Sequence, residues 1–323
     1  MQEIGEARGT RLYASEDAYL SYFNSPYIGH SHAAAIDIYP AHQEWGGPVI
    51  SPVTGKLIRI QKTSMGMKKE FPTDDFDFGI AIQPEKCKDT IVRILHCNPT
   101  LKEGDVVEYG DEIGFTIRSR YFNYWTGPHY HIEIMYIDAF LRSTRSFPLQ
   151  LPFNFKTQTA KELPTTVEFH VEEVTKDYIT GYPRGFSHTE VGNYIGISGI
   201  KNETDIVGIL DGGISHYKHG GVIGYRNGVQ GTTIGLQKLS VGTITHSMIG
   251  AGFFLRGPSI NCFLDSTKLR GLSCFMYPKN FVKQQVSRLL LVPKYYNEFI
   301  GQISKGDVCE LKIRSANNTI KAE

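Results

Sequence analysis

The sequence has few cysteines and no excess of either charge, and each shortage excludes a class of protein. Its five cysteines are odd in number, and no two of them are separated by two residues. We therefore expect neither a disulfide framework nor a cysteine-based zinc site. The 34 basic side chains are balanced by 33 acidic ones, so no net field would attract nucleic acid. We expect no nucleic-acid partner.

Long hydrophobic runs are also missing. No window approaches the roughly 20 apolar residues that are needed to cross a bilayer. The first residues, MQEIGEARGT, lack the charged and then apolar layout of a signal peptide. These absences predict that the chain has no membrane span. They also predict a cytoplasmic protein, or a protein of the cell envelope if a leader has been removed.

Short apolar runs rich in Val, Ile and Tyr fill the first half of the chain, and glycines and prolines separate them, as in AAIDIYP and GGPVISPVTGKLIRI. Many short strands joined by tight turns are typical of a β-sandwich or barrel. The proline-rich stretch FPLQLPFNFKTQTAKELP interrupts this pattern, and the glycine-dense sequence after it predicts a second β-rich domain. We predict a mainly β protein with an N-terminal segment (1–29), a first domain (30–150), a linker or strap (151–165) and a second domain of unknown role (166–323).

Three stretches depart from the strand pattern. SEDAYLSYF could form a short helix capped by Ser15, and NFVKQQVSRLLLV has apolar residues at helical spacing. The polar stretch SMGMKKEFPTDDFDFG, residues 64–79, is expected to be a long surface loop.

The segment TGPHYHIEI, residues 126–134, places two histidines on one side of a predicted strand. Because side chains alternate along a strand, His129, His131 and Glu133 share a face, and the opposite face is apolar. Paired imidazoles on a strand are a common way to present zinc. For this pair alone, two half-buried polar side chains would be an alternative interpretation.

Further histidines and an aspartate occur near other predicted strands. GHSHAAAIDIYP contains His30, His32 and Asp37, and His96 ends the run TIVRILH. A catalytic zinc site needs three protein ligands and an open position for water, whose pKa the metal lowers to about 7. A nearby imidazole can take the proton of that water and pass it to a leaving amine. These residues favour hydrolysis of an amide bond.

The order of these segments resembles that of the LytM/lysostaphin-type zinc metallopeptidases. The corresponding segments are HAAAIDIYP, GGPVISPVTGKLIRI, ILHCNPTLKEGDVVEYGDEIG and WTGPHYHIEI, over about residues 30 to 136. The resemblance implies that the first domain is a β-sandwich or barrel of the duplicated-hybrid-motif type. It further implies a zinc metallo-endopeptidase that hydrolyses peptide bonds, such as those of the cross-links in cell-wall peptidoglycan.

Carried over residue by residue, the resemblance implies that His32, Asp37 and His131 bind zinc. It implies that His129 and His96 act as general base and as stabiliser of the oxyanion. The first ligand is the weakest match, because the family's common form has it four residues before the aspartate, and that position is an alanine here. His32 is favoured, and His30 is the alternative.

The cleft also departs from the family pattern. Aromatic residues, in the run RYFNYW, replace the usual small residues before TGPH, and Tyr121, Tyr124 and Trp125 would reshape or cover the cleft. The alternative function is therefore a catalytically silent binding or regulatory module that keeps the metal site but has a blocked cleft.

Overall fold

The computed structural model describes residues 1–41, 44–217, 219–225, 228–255, 260–281 and 286–316. The chain divides into two compact units, of residues 1–22 with 27–152 and of residues 23–26 with 153–323. Strands supply nearly all of the secondary structure, which confirms the predicted mainly β fold. Within the described ranges, no helix has both the length and the apolar character to span a membrane.

The first unit is built from short strands and one helix of a single turn, α1 (Ile28–Ser31). A 3-10 turn (Ser143–Arg145) follows the last strand. Among its described residues the strands are β1 (Gln2–Ala7), β2 (Thr10–Ala14), β3 (Tyr19–Ser21), β4 (Ala35–Tyr39), β5 (Pro48–Ile50), β6 (Gly55–Ser64), β7 (Phe76–Pro84), β8 (Thr90–Leu95), β9 (Cys97–Pro99), β10 (Val106–Val107), β11 (Glu112–Thr116) and β12 (Tyr130–Tyr136).

A seven-stranded antiparallel sheet, in the order β10-β6-β7-β8-β12-β4-β3, forms the centre of this unit. β1 and β2 form a hairpin, and β5, β11 and β9 form a separate three-stranded sheet. β12 lies between β8 and β4, with His131 opposite Asp37 and Glu133 opposite Arg93. All residues of β12 from Tyr130 to Met135 are buried. Since both faces of the strand are covered, the face that carries His131 lies inside the unit.

The structure does not form the first of the two helices that the sequence predicts, and the described part of the second is not α-helical. Where the first helix was predicted, Tyr19–Ser21 forms β3 and pairs with β4. Pairing with the edge of the sheet overrides the local preference of these residues for a helix. Residues 282–285 of the second helix lie outside the described residues. In its described part, the run Leu289–Val292 is a fully buried strand, as is common for short continuous apolar runs.

The second unit contains a closed barrel and an extension of the same sheet. The strands of its described residues are β13 (Gln158–Thr159), β14 (Thr166–Val174), β15 (Ile179–Arg184), β16 (His188–Val191), β17 (Tyr194–Lys201), β18 (Asp205–Ile214), β19 (His219–Ile223), β20 (Thr233–Leu236), β21 (Leu239–Met248), β22 (Ala251–Leu255), β23 (Ile260–Leu264), β24 (Thr267–Lys268), β25 (Gly271–Cys274), β26 (Tyr277–Pro278), β27 (Leu289–Val292) and β28 (Val308–Ser315). The order of strands in the barrel is β17-β20-β21-β22-β19-β18, and pairing of β17 with β18 closes it. The extension has the order β25-β27-β15-β14-β28-β23-β24.

Candidate metal centre

Three buried side chains of the first unit bring possible metal ligands together. His30 lies on α1, Asp37 on β4 and His131 on β12. His30 Nε2 is 3.1 Å from Asp37 Oδ1 and 3.2 Å from His131 Nδ1, and His131 Nδ1 is 2.8 Å from Asp37 Oδ1. Ligand atoms held about 2.0–2.1 Å from a tetrahedral zinc ion lie about 3.3 Å apart. The spacing of the three donors therefore fits a small tetrahedral cation.

The structure brings His30, the alternative first ligand, rather than His32 to the carboxylate of Asp37. His30 is 1% exposed, whereas His32 is exposed and forms the C-cap of α1. Side chains two residues apart in a helix point about 200° apart around the axis. Only one of the two histidines can therefore face Asp37.

The outer ring nitrogens of the two histidine ligands are held by acceptors. His30 Nδ1 lies 2.7 Å from the carbonyl oxygen of Tyr22, and His131 Nε2 lies 2.7 Å from Glu133 Oε1. A carbonyl or ionised carboxylate only accepts hydrogen bonds, so both outer nitrogens carry a proton and donate it. When a ring is neutral, its inner nitrogen then presents a lone pair to the shared space. Metal-binding histidines nearly always show this arrangement, and the donor set suits zinc.

The charges of the centre are consistent with this role. Burial by itself would raise the pKa of Asp37, but the neighbouring histidines hold it well below its usual value. Burial lowers the pKa of His131, yet hydrogen bonds to Asp37 and Glu133 outweigh this effect and raise it to about 9. In the absence of a metal, the contact between His131 Nδ1 and Asp37 thus contains a proton. A cation between the two atoms would take the place of that proton.

His129, predicted to be catalytic, lies beside this set. Its Nδ1 donates to the carbonyl oxygen of Gly127 at 2.9 Å, and its Nε2 is 3.7 Å from Asp37 Oδ2. Burial lowers the pKa of His129 to about 4, although the charge of Asp37 opposes the shift. The ring is therefore neutral at pH 7, with the Nε2 lone pair on the side of Asp37.

His96, the other predicted catalytic residue, lies with its ring centroid 5.7 Å from that of His129. It follows β8 in the left-handed backbone region, with a φ of 65°, which is uncommon for a residue other than glycine. His96 Nδ1 donates to Asp77 Oδ2 at 2.6 Å. The structure therefore brings together all the predicted site residues except His32.

Sequence reasoning missed Asp77, because residues 64–79 were expected to form a loop. In the structure β6 extends to Ser64 and β7 begins at Phe76, so Asp77 belongs to a strand. Its carboxylate also accepts from the backbone N–H of Phe78 and from Ser119 Oγ. Burial opposes ionisation of Asp77, but His96 and these donors lower its pKa. The alternation of aspartate and phenylalanine in DFDFG was the available signal for a strand.

Aromatic rings surround the histidines. Tyr27 lies 5.5 Å from the His131 ring, Tyr121 lies 5.4 Å from His96, and Phe122 lies 4.4 Å from His96. Tyr121 is 47% exposed, so it forms part of the rim. Tyr124 and Trp125 contact each other. The centre is therefore deep and has an aromatic rim.

Comparisons with known proteins give limited further information. Residues 10–151 match a family described as "Domain of unknown function (DUF8155) N-terminal domain", and a search of curated proteins gave no match. Among solved structures, the chain is similar to LytU, with 24% identity over 44% of this chain and 82% of that chain and a TM-score of 0.26. It is also similar to the antimicrobial peptidase lysostaphin from Staphylococcus simulans, with 13% identity over 77% of this chain and 92% of that chain and a TM-score of 0.28. An NMR solution structure of lysostaphin gives 17% identity, 75% and 95% coverage, and a TM-score of 0.25.

Proposed function

We propose that the chain is a zinc-dependent metallo-endopeptidase with His30, Asp37 and His131 as the metal ligands. The observation that supports this proposal is the donor geometry: three buried ligand atoms lie within 4.8 Å of one another, and both ligand imidazoles donate their outer N–H to an acceptor. A bound zinc ion supplies Lewis acidity, which polarises a carbonyl group and lowers the pKa of water.

The two remaining histidines suit different parts of amide hydrolysis. His129 is neutral at pH 7, because burial lowers its pKa to about 4, so its Nε2 can accept a proton from the attacking water. The Nδ1 proton of His96 is held by an ionised carboxylate, Asp77, and such a pair stabilises an imidazolium. His96 is therefore the better donor to the negative charge that develops on the carbonyl oxygen.

The order of sequence segments shared with LytM/lysostaphin-type peptidases supports a peptide substrate of the peptidoglycan cross-link class. Such a substrate would place the protein in the cell envelope. An intracellular peptide substrate would instead place the protein in the cytoplasm.

Replacement of the two neighbouring histidines tests the metal site. We expect the wild-type protein and His32→Ala to retain stoichiometric zinc after dialysis and His30→Ala to lose it, because only His30 contacts Asp37. Zinc is measured by elemental analysis of folded protein. His32→Ala is the matched control, since it removes the same side chain two residues away. Stoichiometric zinc in His30→Ala would overturn the assignment.

Turnover tests the catalytic roles separately. His129→Ala should keep zinc and lower kcat on a peptide or peptidoglycan substrate by about 10²–10⁴-fold, the usual contribution of a general base. Unchanged kcat would remove His129 from the mechanism.

The silent binding module stays the second candidate, because the site residues are at most 4% exposed and aromatic rings surround them. Stoichiometric zinc together with no hydrolysis of peptidoglycan, glycine-rich peptides or a broad peptide library would favour this candidate.

A further inference from the structure

A buried arginine lies behind the proposed metal ligands. Arg93 is on β8, directly opposite Glu133 on β12, and it is 4% exposed. Its Nη2 donates to Glu133 Oε2 at 2.9 Å, and its Nη1 donates to the carbonyl oxygen of Phe140 at 2.8 Å. Nη2 also donates to Ser143 Oγ. The guanidinium is thus fixed by acceptors from two different parts of the chain.

Glu133 connects this arginine to the centre. Its Oε1 accepts from His131 Nε2, and its Oε2 accepts from Arg93 and from Ser146 Oγ. The residue is completely buried, so its carboxylate depends on these three donors. Each oxygen is engaged, and the carboxylate cannot rotate without breaking a hydrogen bond.

The charges explain why an arginine is required. A buried carboxylate without a partner of opposite charge is strongly unfavourable, and a histidine that binds a cation through its inner nitrogen is neutral. His131 then gives Glu133 a hydrogen bond but no counter-charge. The guanidinium of Arg93 is always protonated, so it supplies a permanent counter-charge.

We propose that Arg93 is a positioning residue of the metal centre. It fixes the Glu133 carboxylate, which in turn holds the His131 ring with Nδ1 facing Asp37 and His30. Lysine is not an equivalent replacement, because its three N–H donors start from a single nitrogen atom, whereas Nη1 and Nη2 reach Phe140 and Glu133 from two positions of a planar fork. The inference rests on the proposed function only in that His131 binds the metal.

The test measures metal binding by the full chain rather than turnover. Zinc affinity is determined by competition with a chromogenic chelator, and ligand geometry by the visible absorption of bound Co²⁺. Arg93→Lys keeps the charge and loses the fixed pair of donors, so we expect zinc affinity to fall about 10- to 100-fold, as for other partners of metal ligands, and the Co²⁺ spectrum to change.

Arg288→Lys is the matched control. Arg288 forms a partly buried pair with Glu172 in the second unit, with Nη2 2.6 Å from Glu172 Oε1. Its replacement disturbs an arginine–glutamate pair that is formed within the second unit. We expect zinc affinity and the Co²⁺ spectrum to stay at the wild-type values.

A milder variant decides the outcome if Arg93→Lys does not fold. Ser146→Ala removes one donor to the same oxygen of Glu133 from a partly buried position, and it should weaken zinc binding several-fold. Wild-type affinity and spectrum in the folded variants, with zinc still lost in His30→Ala, would overturn this inference and leave the proposed function standing. If His30→Ala keeps its zinc, the proposed ligand set itself is wrong.

Discussion

Gly29→Ala should damage the centre even though alanine is the better helix former. Gly29 lies in the middle of α1, one residue before His30. A Cβ atom there would lie 2.6 Å from Glu133 Oε1 and 3.0 Å from the Cβ of Ala35. Real side chains do not tolerate the first contact, and Glu133 cannot move away without loss of its hydrogen bond from His131.

The magnitude follows from two opposing contributions. In an unhindered helix, glycine to alanine stabilises by up to about 1 kcal/mol, whereas overpacking of a closed site costs about 1–3 kcal/mol. We expect a net loss of about 1–2 kcal/mol in the free energy of unfolding of the first unit. Zinc affinity should fall by about tenfold, because Glu133 orients the His131 ring.

Urea unfolding, fitted with one transition for each unit, measures the stability, and chelator competition measures the zinc affinity. Gly66→Ala is the control, because a Cβ at that position meets no atom within 4 Å. A double-mutant cycle with Glu133→Ala isolates the contact: the penalty of Gly29→Ala should shrink once the carboxylate is gone. A variant as stable as wild type, or a penalty that is unchanged in the cycle, would refute the reasoning.

Two further predictions concern other groups. Asp77→Asn should keep zinc but lower kcat by roughly tenfold or more, because the amide cannot stabilise a charged His96; a wild-type kcat would contradict this role. His188 has its pKa lowered to about 4 by burial, so the unfolded chain binds its proton more readily and stability should fall as the pH drops from 6.5 towards 4. At 1.36 kcal/mol per pKa unit, the free energy of unfolding should fall by at most about 2 kcal/mol between pH 7 and pH 5. This is an upper limit because the side chain is partly exposed. His188→Asn should reduce this dependence of the free energy of unfolding on pH, measured by urea unfolding. An equal dependence in both proteins would exclude His188 as its cause.

The strand that carries His131 was predictable because its pattern is local. Alternation along TGPHYHIEI places His131 and Glu133 on one face, and the structure has both side chains there with Asp37 opposite. Arg93 was not predictable in the same way. In TIVRIL it interrupts an apolar run, and only the pairing of β8 with β12 brings it opposite Glu133.

The choice between His30 and His32 shows why part of the centre depends on distant contacts. Both residues are separated from Asp37 by an odd number of positions, so neither could share its face along a continuous strand. The chain must therefore leave the strand conformation before β4, and it does so through α1 and through Ala33, whose φ is 47°. The direction of that turn is set by the Tyr22 carbonyl, which holds His30 Nδ1, and by the space beside Gly29 that Glu133 fills. Neither contact can be predicted from the spacing of residues along the sequence, because both form only when β12 lies beside β4 in the sheet.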